Sequence, residues 1–305
     1  MKARNILQAF LLFLLFGTVL NSYGQRWKRY RHEFSLGVGA SNYLGDLGGA
    51  TTGDGTRFGD FQFVVSRPSV KGSYKYRALE RVAFKGNLAY GRIYGSDEYA
   101  GNPGRENRNL NFRSDVIELS VQGEYYFIKE KVGPVYRLPG LRGQTLESFS
   151  GYLFGGIGAF YFDPQGQNAD NEWVKLAPLN TEGQGLPGGP DDYSQVSIAF
   201  PIGFGFKYAI DRQWSIGLEY GLRMTTTDYL DDVSGKYYNP DVLAAEYGQE
   251  AVDMADKRLS SNPPSGLTRE QYGTRGNPDR LDTYMFGFLT LSYKMKSKGP
   301  GRTRF

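Results

Sequence analysis

Residues 196–208, VSIAFPIGFGFKY, and residues 214–225, WSIGLEYGLRMT, decide the fold of this chain. In each run every second residue is apolar, and only a few residues around Asp211 separate the two runs. Side chains alternate between the two faces of a strand, so the pair predicts a tight hairpin with one apolar face. The other face carries Gly, Ser, Glu, Lys and Arg, and the strands are about twice as long as ordinary globular strands. This combination is typical of a membrane-spanning β-barrel.

Six further alternating segments complete a predicted set of eight strands. They are residues 34–41, 69–76, 82–90, 117–125, 151–162 and 284–294. In the last of them, Met285, Leu289 and Leu291 are expected on the lipid side, whereas the Gly- and aromatic-rich segment 151–162 leaves its two faces unassigned. The 23 tyrosines, 20 phenylalanines and 41 glycines suit aromatic girdles and bent, closely packed strands. The sequence predicts an all-β fold, an eight-stranded antiparallel up-and-down transmembrane β-barrel with long extracellular loops.

The connections between these strands predict how the barrel lies in the membrane. Those after the second and sixth strands are short, and those after the first, third, fifth and seventh are long. Barrels of this kind have short periplasmic turns and long outer loops, so both termini are expected in the periplasm, below an outer membrane. Residues 128–148 depart from the rule, because a long segment stands where a short turn is expected.

The first 24 residues have the pattern of a secretory signal peptide. Lys2 and Arg4 precede an apolar run from Ala9 to Leu20, and small or polar residues follow up to Gly24. The run is shorter than the roughly 20 residues that a helix needs to cross a bilayer, which disfavours a membrane anchor. The chain contains no cysteine, hence no disulfide and no lipidated Cys. The predicted organisation is a signal peptide over 1–24, a basic periplasmic arm over 25–33, the barrel over 34–295 and a periplasmic tail over 296–305.

Charged residues occupy inward positions of the predicted strands. Eight strands enclose only enough volume for their own side chains. Opposite charges are therefore expected to pair across the lumen and block it, and no wide pore is predicted. These residues are Lys71, Lys75, Lys85, Glu118, Glu124, Lys207, Glu219 and Arg223.

The longest connection, after the seventh strand, carries two signals of its own. Asn239 as N-cap and Pro240 at the first position predict a helix that covers the barrel mouth or binds another protein. Before it, Asp228, Asp231 and Asp232 predict a solvated acidic turn rather than a calcium loop, because their spacing does not match an EF-hand. Residues 180–192, in an earlier connection, are rich in Gly and Pro and predict a flexible segment.

The residue inventory disfavours catalysis and nucleic-acid binding. His32 is the one histidine, no Gly-x-Ser-x-Gly motif is present, and the absence of cysteine removes thiol chemistry. No group of carboxylate or lysine residues shows a sequence pattern that indicates catalysis. The net charge of +4 is modest, and outside one short N-terminal tract no basic stripe is interleaved with base-stacking aromatics. We expect no enzyme, no cofactor, no metal site and no nucleic-acid partner.

Three segments resemble a known family. HEFSLGVGASNYLGDLGG at 32–49, FGGIGAFYFDP at 154–164 and TDYLDDVSGKYY at 227–238 are similar to the PorG-like outer-membrane barrel family of Bacteroidetes. The resemblance implies an outer-membrane component of the type IX secretion system. Its expected partners are a periplasmic ring of a PorK-like lipoprotein and a PorN-like protein, together with outer-membrane lipids.

Two basic, aromatic segments are the candidate contact surfaces for such a ring. The first precedes the barrel and has two interpretations, an interfacial anchor on lipid phosphates or a docking arm. The second is the long segment 128–148. The candidate residues are Arg26, Trp27, Arg29, Lys129, Lys131, Tyr136, Arg137 and Arg142. The alternative function is that of a small general outer-membrane barrel with a structural, adhesive or small-solute role, acting through its outer loops.

Overall fold

The computed structural model describes residues 25–47, 66–101, 103–129, 149–260 and 273–296. Within these ranges the chain is built mainly of strands, preceded by a short 3-10 helix at Gln25–Tyr30. The strands are β1 (His32–Leu44), β2 (Arg67–Arg77), β3 (Val82–Ser96), β4 (Asn111–Ile128), β5 (Phe149–Gln167), β6 (Trp173–Lys175), β7 (Val196–Ala209), β8 (Trp214–Thr225) and β9 (Thr283–Met295).

Eight of these strands form a closed antiparallel barrel. They pair in the order β4-β3-β2-β1-β9-β8-β7-β5, and β5 pairs with β4 to complete the ring. The first and last strands are joined from His32 opposite Met295 to Leu44 opposite Thr283. The predicted eight-stranded up-and-down barrel is confirmed. The short β6, which the sequence did not predict, pairs with the end of β5 beside the ring.

The alternation of side chains gives the barrel an apolar outside and a polar inside. In the opening hairpin, Ile202 and Leu218 are exposed, whereas Lys207 and Glu219 are buried. Because the exposed positions are apolar on every barrel strand and all strands are paired, the outer surface suits hydrocarbon and leaves no open sheet edge. One predicted lipid-facing residue differs: Met285 is 2% exposed, and its sulfur accepts the Tyr220 hydroxyl at 2.8 Å.

Strand β5 is longer than predicted, and its two faces are now assigned. It runs from Phe149 to Gln167 rather than over 151–162. Leu153 and Ile157 face outward, whereas Phe154 and Phe160 are buried. Aromatic residues inside and glycines between them hid this alternation in the sequence.

Strands β4 and β5 extend past the apolar band at the end that carries the long loops. They contain 18 and 19 residues, whereas a tilted strand crosses the hydrocarbon in about 9–11. Their projecting ends carry Phe112 and Phe162, which join a buried cluster with the loop residues Leu47 and Leu230. The long loops therefore fold onto the top of the barrel. We call this assembly the loop cap, formed by residues 45–47, 97–101, 103–110, 168–195, 226–260 and 273–282.

Three short helices belong to the loop cap: α1 (Pro103–Arg108), α2 (Pro240–Tyr247) and α3 (Gln249–Ala255). The predicted start of α2 is confirmed, since the Asn239 side chain accepts the backbone N–H of Asp241 at 2.9 Å. The single predicted helix is wrong, because Gly248, at φ 87°, separates α2 from α3. No helix among the described residues is long and apolar enough to cross a membrane.

Candidate functional site

The barrel lumen is filled by the charged residues that the sequence predicted to point inward. All eight are exposed by 4% or less, which confirms their placement: Lys71, Lys75, Lys85, Glu118, Glu124, Lys207, Glu219 and Arg223. Glu33 and Lys294, which the sequence reasoning did not include, are buried with them. The period-two pattern of β1 and β9 places both on the inward face, so the same signal could have found them.

Glu219 of β8 is the centre of the ion-pair network. Its two carboxylate oxygens lie 2.6 Å from the ammonium groups of Lys71 and Lys85, which come from β2 and β3. The Tyr152 hydroxyl donates to the same carboxylate at 2.9 Å. Strands on opposite sides of the barrel are thus joined through one buried carboxylate.

The network continues across the lumen through alternating charges. Lys85 also lies 2.9 Å from Glu124, and Lys75 lies 3.4 Å from Glu124 and 2.9 Å from Glu33. Glu33 pairs in turn with Lys207 of β7. Each buried charge of this ion-pair network contacts an opposite charge. The network therefore closes the lumen without leaving any of its charges isolated.

Aromatic side chains pack beside the ion pairs inside the lumen. The rings of Phe286 and Phe288 lie 5.3 Å apart, and the rings of Phe160 and Tyr284 lie 5.4 Å apart. The Tyr284 hydroxyl donates to Glu118 at 3.0 Å, which links the packed rings to the ion pair between Glu118 and Arg223. Ion pairs and packed rings together occupy the interior that a solute would have to cross.

Two buried arginines hold the loop cap together. Arg108 of α1 donates from Nε and Nη2 to the two carboxylate oxygens of Asp97, at 2.7 and 2.8 Å, and from Nη1 to the backbone carbonyl of Arg275. Arg275 lies 3.1 Å from Glu182, whose carboxylate accepts the backbone N–H of Ser234 at 2.9 Å. Loops that are far apart in sequence therefore share one hydrogen-bonded core.

The acidic turn is part of this core, which corrects two sequence predictions. Asp228, Asp231 and Asp232 are buried rather than solvated. Thr181 and Glu182, at the start of the segment predicted to be flexible, are buried as well. The sequence missed this because the partners, Arg275 and Tyr43 among them, lie far away along the chain. Among the described residues, no group of three or more acidic or histidine side chains is arranged to hold a metal ion.

Burial changes the protonation of the carboxyl groups in the cap. The Tyr43 hydroxyl lies within hydrogen-bond distance of both Asp231 and Asp282, yet one hydroxyl donates only one proton. Burial, together with the neighbouring Asp46, raises the pKa of Asp231, and burial, together with the Asp231 carboxylate, raises the pKa of Asp282.

The candidate partner-binding residues lie at the other end, where the short turns are. Arg26, Trp27 and Arg29 belong to the 3-10 turn at Gln25–Tyr30, and Arg29 is exposed. Lys129 follows β4 and pairs with Glu80 of the β2–β3 turn at 3.0 Å. The arm and the start of the long inner segment thus share one end of the barrel. Lys131, Tyr136, Arg137 and Arg142 lie outside the described residues.

Other basic residues, not predicted as contacts, join them at this end. We call the predicted and the additional basic residues at this end together the basic face. The acidic residues described beside the basic face are Glu80 and Asp211. Asp211 accepts the backbone N–H groups of Gln213 and Trp214, both at 2.7 Å, and so fixes the β7–β8 turn. The members of the basic face are Lys28, Arg29, Arg31, Arg81, Lys129, Arg212 and Lys296. Arg81 and Arg212 sit in the two short turns, a position that the predicted hairpins already indicated.

A closed barrel with an apolar exterior, a charged and packed lumen and loops concentrated at one end defines a class of protein. This is the small membrane-spanning β-barrel of the outer-membrane type. A family model described as a domain of unknown function, DUF6089, matches residues 9–177, more than half of the chain. The chain belongs to the DUF6089 family. No curated protein sequence matches it.

Solved structures of small barrels are similar to the chain in outline. The match with Ail, the attachment invasion locus protein of Yersinia pestis, spans 88% of this chain and 99% of the Ail chain, with 9% identity and a TM-score of 0.38. The match with Outer Membrane Protein W of E. coli spans 87% of this chain and 99% of that protein's chain, with 14% identity and a TM-score of 0.34. The match with a major outer membrane protein from Thermus thermophilus spans 87% of this chain and 99% of that protein's chain, with 11% identity and a TM-score of 0.37. At these values the likeness carries no argument, and the fold rests on the strand pairings of the chain itself.

Proposed function

We propose that this protein is an outer-membrane component of a type IX protein secretion system and attaches a periplasmic ring to the membrane. The observation that carries the proposal is the basic face, a concentration of cationic side chains, most of them exposed, at the end with the short turns and both barrel termini. The resemblance of the segments 32–49, 154–164 and 227–238 to the PorG-like family supports the choice of partner, a ring of PorK-like and PorN-like proteins.

The orientation in the membrane is part of the proposal. β1 begins and β9 ends at the basic face, since His32 lies opposite Met295. Barrels of this type place short turns in the periplasm and long loops outside. The basic face then points to the periplasm, where a ring could reach it, and the loop cap points to the outside.

The packed lumen favours attachment over conduction. The network from Lys71 through Glu219 and Glu124 to Lys207 crosses the interior, so a secreted protein would have to break buried ion pairs to pass. Breaking one buried pair by removing a partner is unfavourable by about 3–5 kcal/mol. The barrel is better suited to hold a machine at the membrane than to serve as its channel.

Charge reversal of the basic face tests this role. The variant Arg29→Glu/Arg81→Glu/Arg212→Glu changes three exposed residues on the arm and on both short turns. Complementary charges steer and strengthen association, and like charges oppose it. We expect the variant to lose co-purification of ring proteins from native membranes while it remains heat-modifiable on gels.

A matched control reverses charge at the opposite end. Arg280→Glu alters an exposed residue of the loop cap and is expected to leave co-purification unchanged. Deletion of 131–144, from the long inner segment, is a second test of the same end and is also expected to abolish ring binding. Full co-purification by both the triple variant and the deletion would reject the proposal.

The loop cap supports a second candidate function. Its buried Arg108–Asp97 and Arg275–Glu182 pairs give the loops one fixed shape, which suits a small outer-membrane barrel that acts through its outer surface. If Arg280→Glu or loop truncation, rather than changes at the basic face, produces the phenotype, this general role replaces the secretion role.

A further inference from the structure

A charged cleft lies on the outside of the barrel, close to the loop cap. Its cavity volume is about 290 Å³. It lies where the apolar band ends, and it belongs neither to the lumen nor to the basic face at the opposite end. The lining residues are Arg67, Pro68, Tyr90, Arg92, Tyr94, Arg113 and Trp173.

The strand register shows that the cleft opens toward lipid. On β3, Arg92 and Tyr94 continue the outward row of Leu88, which is 57% exposed. On β4, Arg113 continues the outward row of Leu119, which is 65% exposed. The pairing sets Tyr94 opposite Arg113. Cationic side chains thus follow directly on the hydrocarbon-facing residues of the same strands.

Two of the three guanidinium groups stack on aromatic rings. The Arg67 guanidinium carbon lies 4.3 Å from the centre of the Tyr94 ring, and that of Arg113 lies 4.4 Å from the centre of the Trp173 ring. Arg113 Nε also donates to the Gln165 side chain at 3.0 Å. Stacking uses the flat faces of a guanidinium and leaves the N–H groups on its edge directed sideways, as donors.

Ion pairs with two aspartates lie beside the arginines of the cleft. Arg92 donates to both carboxylate oxygens of Asp115, at 2.7 and 2.9 Å, so that pair is neutral as a unit. The nearby Asp163 pairs with Lys175 at 2.8 Å. Arg67 and Arg113 face the cleft from two sides, beside the Arg92–Asp115 pair.

We propose that this cleft binds the phosphate group of a membrane-lipid headgroup. The guanidinium fork matches a phosphate with two parallel hydrogen bonds, and Tyr and Trp favour the headgroup level of a membrane. A lipid is favoured over a soluble anion because Leu88 and Leu119, directly below, provide an apolar surface for its acyl chains. The inference depends on the barrel spanning a membrane and not on its role in secretion.

Native mass spectrometry of the protein in an uncharged maltoside detergent tests the cleft. The probes are a bisphosphorylated lipid A, the same glycolipid without phosphates, and phosphatidylglycerol. The variant is Arg67→Gln/Arg113→Gln, and the matched control, Arg81→Gln/Arg212→Gln, removes two exposed arginines at the opposite end. Heat-modifiability on gels verifies folding of each variant.

We expect the wild type and the control to retain phosphorylated lipid. The cleft variant should bind it at least about ten-fold more weakly, which corresponds to about 1.4 kcal/mol, because charge-assisted hydrogen bonds to the phosphate are lost. Arg113→Lys keeps the charge without the fork and is expected to give an intermediate loss, which also covers the case in which the double variant does not fold.

The lipid probes separate the two sources of phosphate. Preference for bisphosphorylated lipid A identifies a glycolipid as the ligand, and equal binding of phosphatidylglycerol identifies a general phosphate site; both outcomes support the proposal. Equal retention of lipid by the wild type and by the cleft variant, or undiminished binding of the dephosphorylated glycolipid, would overturn it.

Discussion

Removal of the Glu219 carboxylate is expected to destabilise the barrel more than substitution of an uncharged residue on the same strand, β8. In Glu219→Met, the ammonium groups of Lys71 and Lys85 lose a partner at 2.6 Å, and the Tyr152 hydroxyl loses its acceptor. Leaving a buried charge without its partner is unfavourable by about 3–5 kcal/mol. Lys85 still contacts Glu124 at 2.9 Å, so most of the loss arises at Lys71.

The magnitude can be measured by urea unfolding of the protein in lipid vesicles, followed by tryptophan fluorescence. A loss of about 3–5 kcal/mol lowers the folding equilibrium constant by roughly two to three and a half orders of magnitude. Ser215→Ala, which removes a buried hydroxyl from the same face of β8, is the matched control and is expected to change stability by about 1 kcal/mol or less.

A double variant separates the ion pair from simple packing. In Lys71→Met/Glu219→Met both members of the pair become apolar, and a buried pair replaced in this way is often close to neutral. The double variant is therefore expected to be more stable than Glu219→Met alone. If the two single effects add without any coupling, or if Glu219→Met is no less stable than Ser215→Ala, the reasoning about the lumen is refuted.

Two further predictions concern the loop cap and the closure of the barrel. Burial raises the pKa of Asp228 to about 8, above the roughly 3.9 of an unfolded Asp; the stability that its protonated form gives the cap is full below about pH 4 and is lost as the pH rises through 8. The protection factors of residues 226–260 against hydrogen exchange, corrected for base-catalysed intrinsic exchange, should therefore be lower at pH 9 than at pH 6, with a weaker pH dependence in Asp228→Asn. Equal protection factors in the wild type at both pH values would contradict this. Since the chain has no native cysteine, Val38→Cys/Leu289→Cys, placed directly opposite each other on β1 and β9, should form a disulfide on oxidation. Val38→Cys/Leu218→Cys, two strand spacings apart, should not; cross-linking of both pairs, or of neither, would contradict the closed register.

The barrel could be predicted from sequence because its signal is local. Each strand alternates with period two, so inward residues such as Lys85 and Glu219 are identified without knowledge of any partner strand. Closure adds only the pairing of β1 with β9, which an even number of strands allows. Where large aromatic residues occupy the inside, as at Phe154 and Phe160 of β5, the same pattern no longer separates the faces.

The loop cap could not be predicted, because its interactions join distant parts of the chain. Asp231 and Asp232 read as a solvated turn until Tyr43 and Arg275 are placed beside them. The break between α2 and α3 follows from the backbone of Gly248, whose φ of 87° an L-residue rarely adopts. The lipid-facing cleft was missed for a similar reason, since Arg67 and Arg113 meet only after three strands are paired.

The central claim is that paired charges and packed rings seal the lumen, so that the protein acts through its surfaces. Single-channel recording of the purified wild-type protein in planar lipid bilayers measures this most directly. The account predicts a membrane without discrete conductance steps in symmetric salt. Reproducible openings of the wild-type barrel, absent from mock preparations, would contradict it.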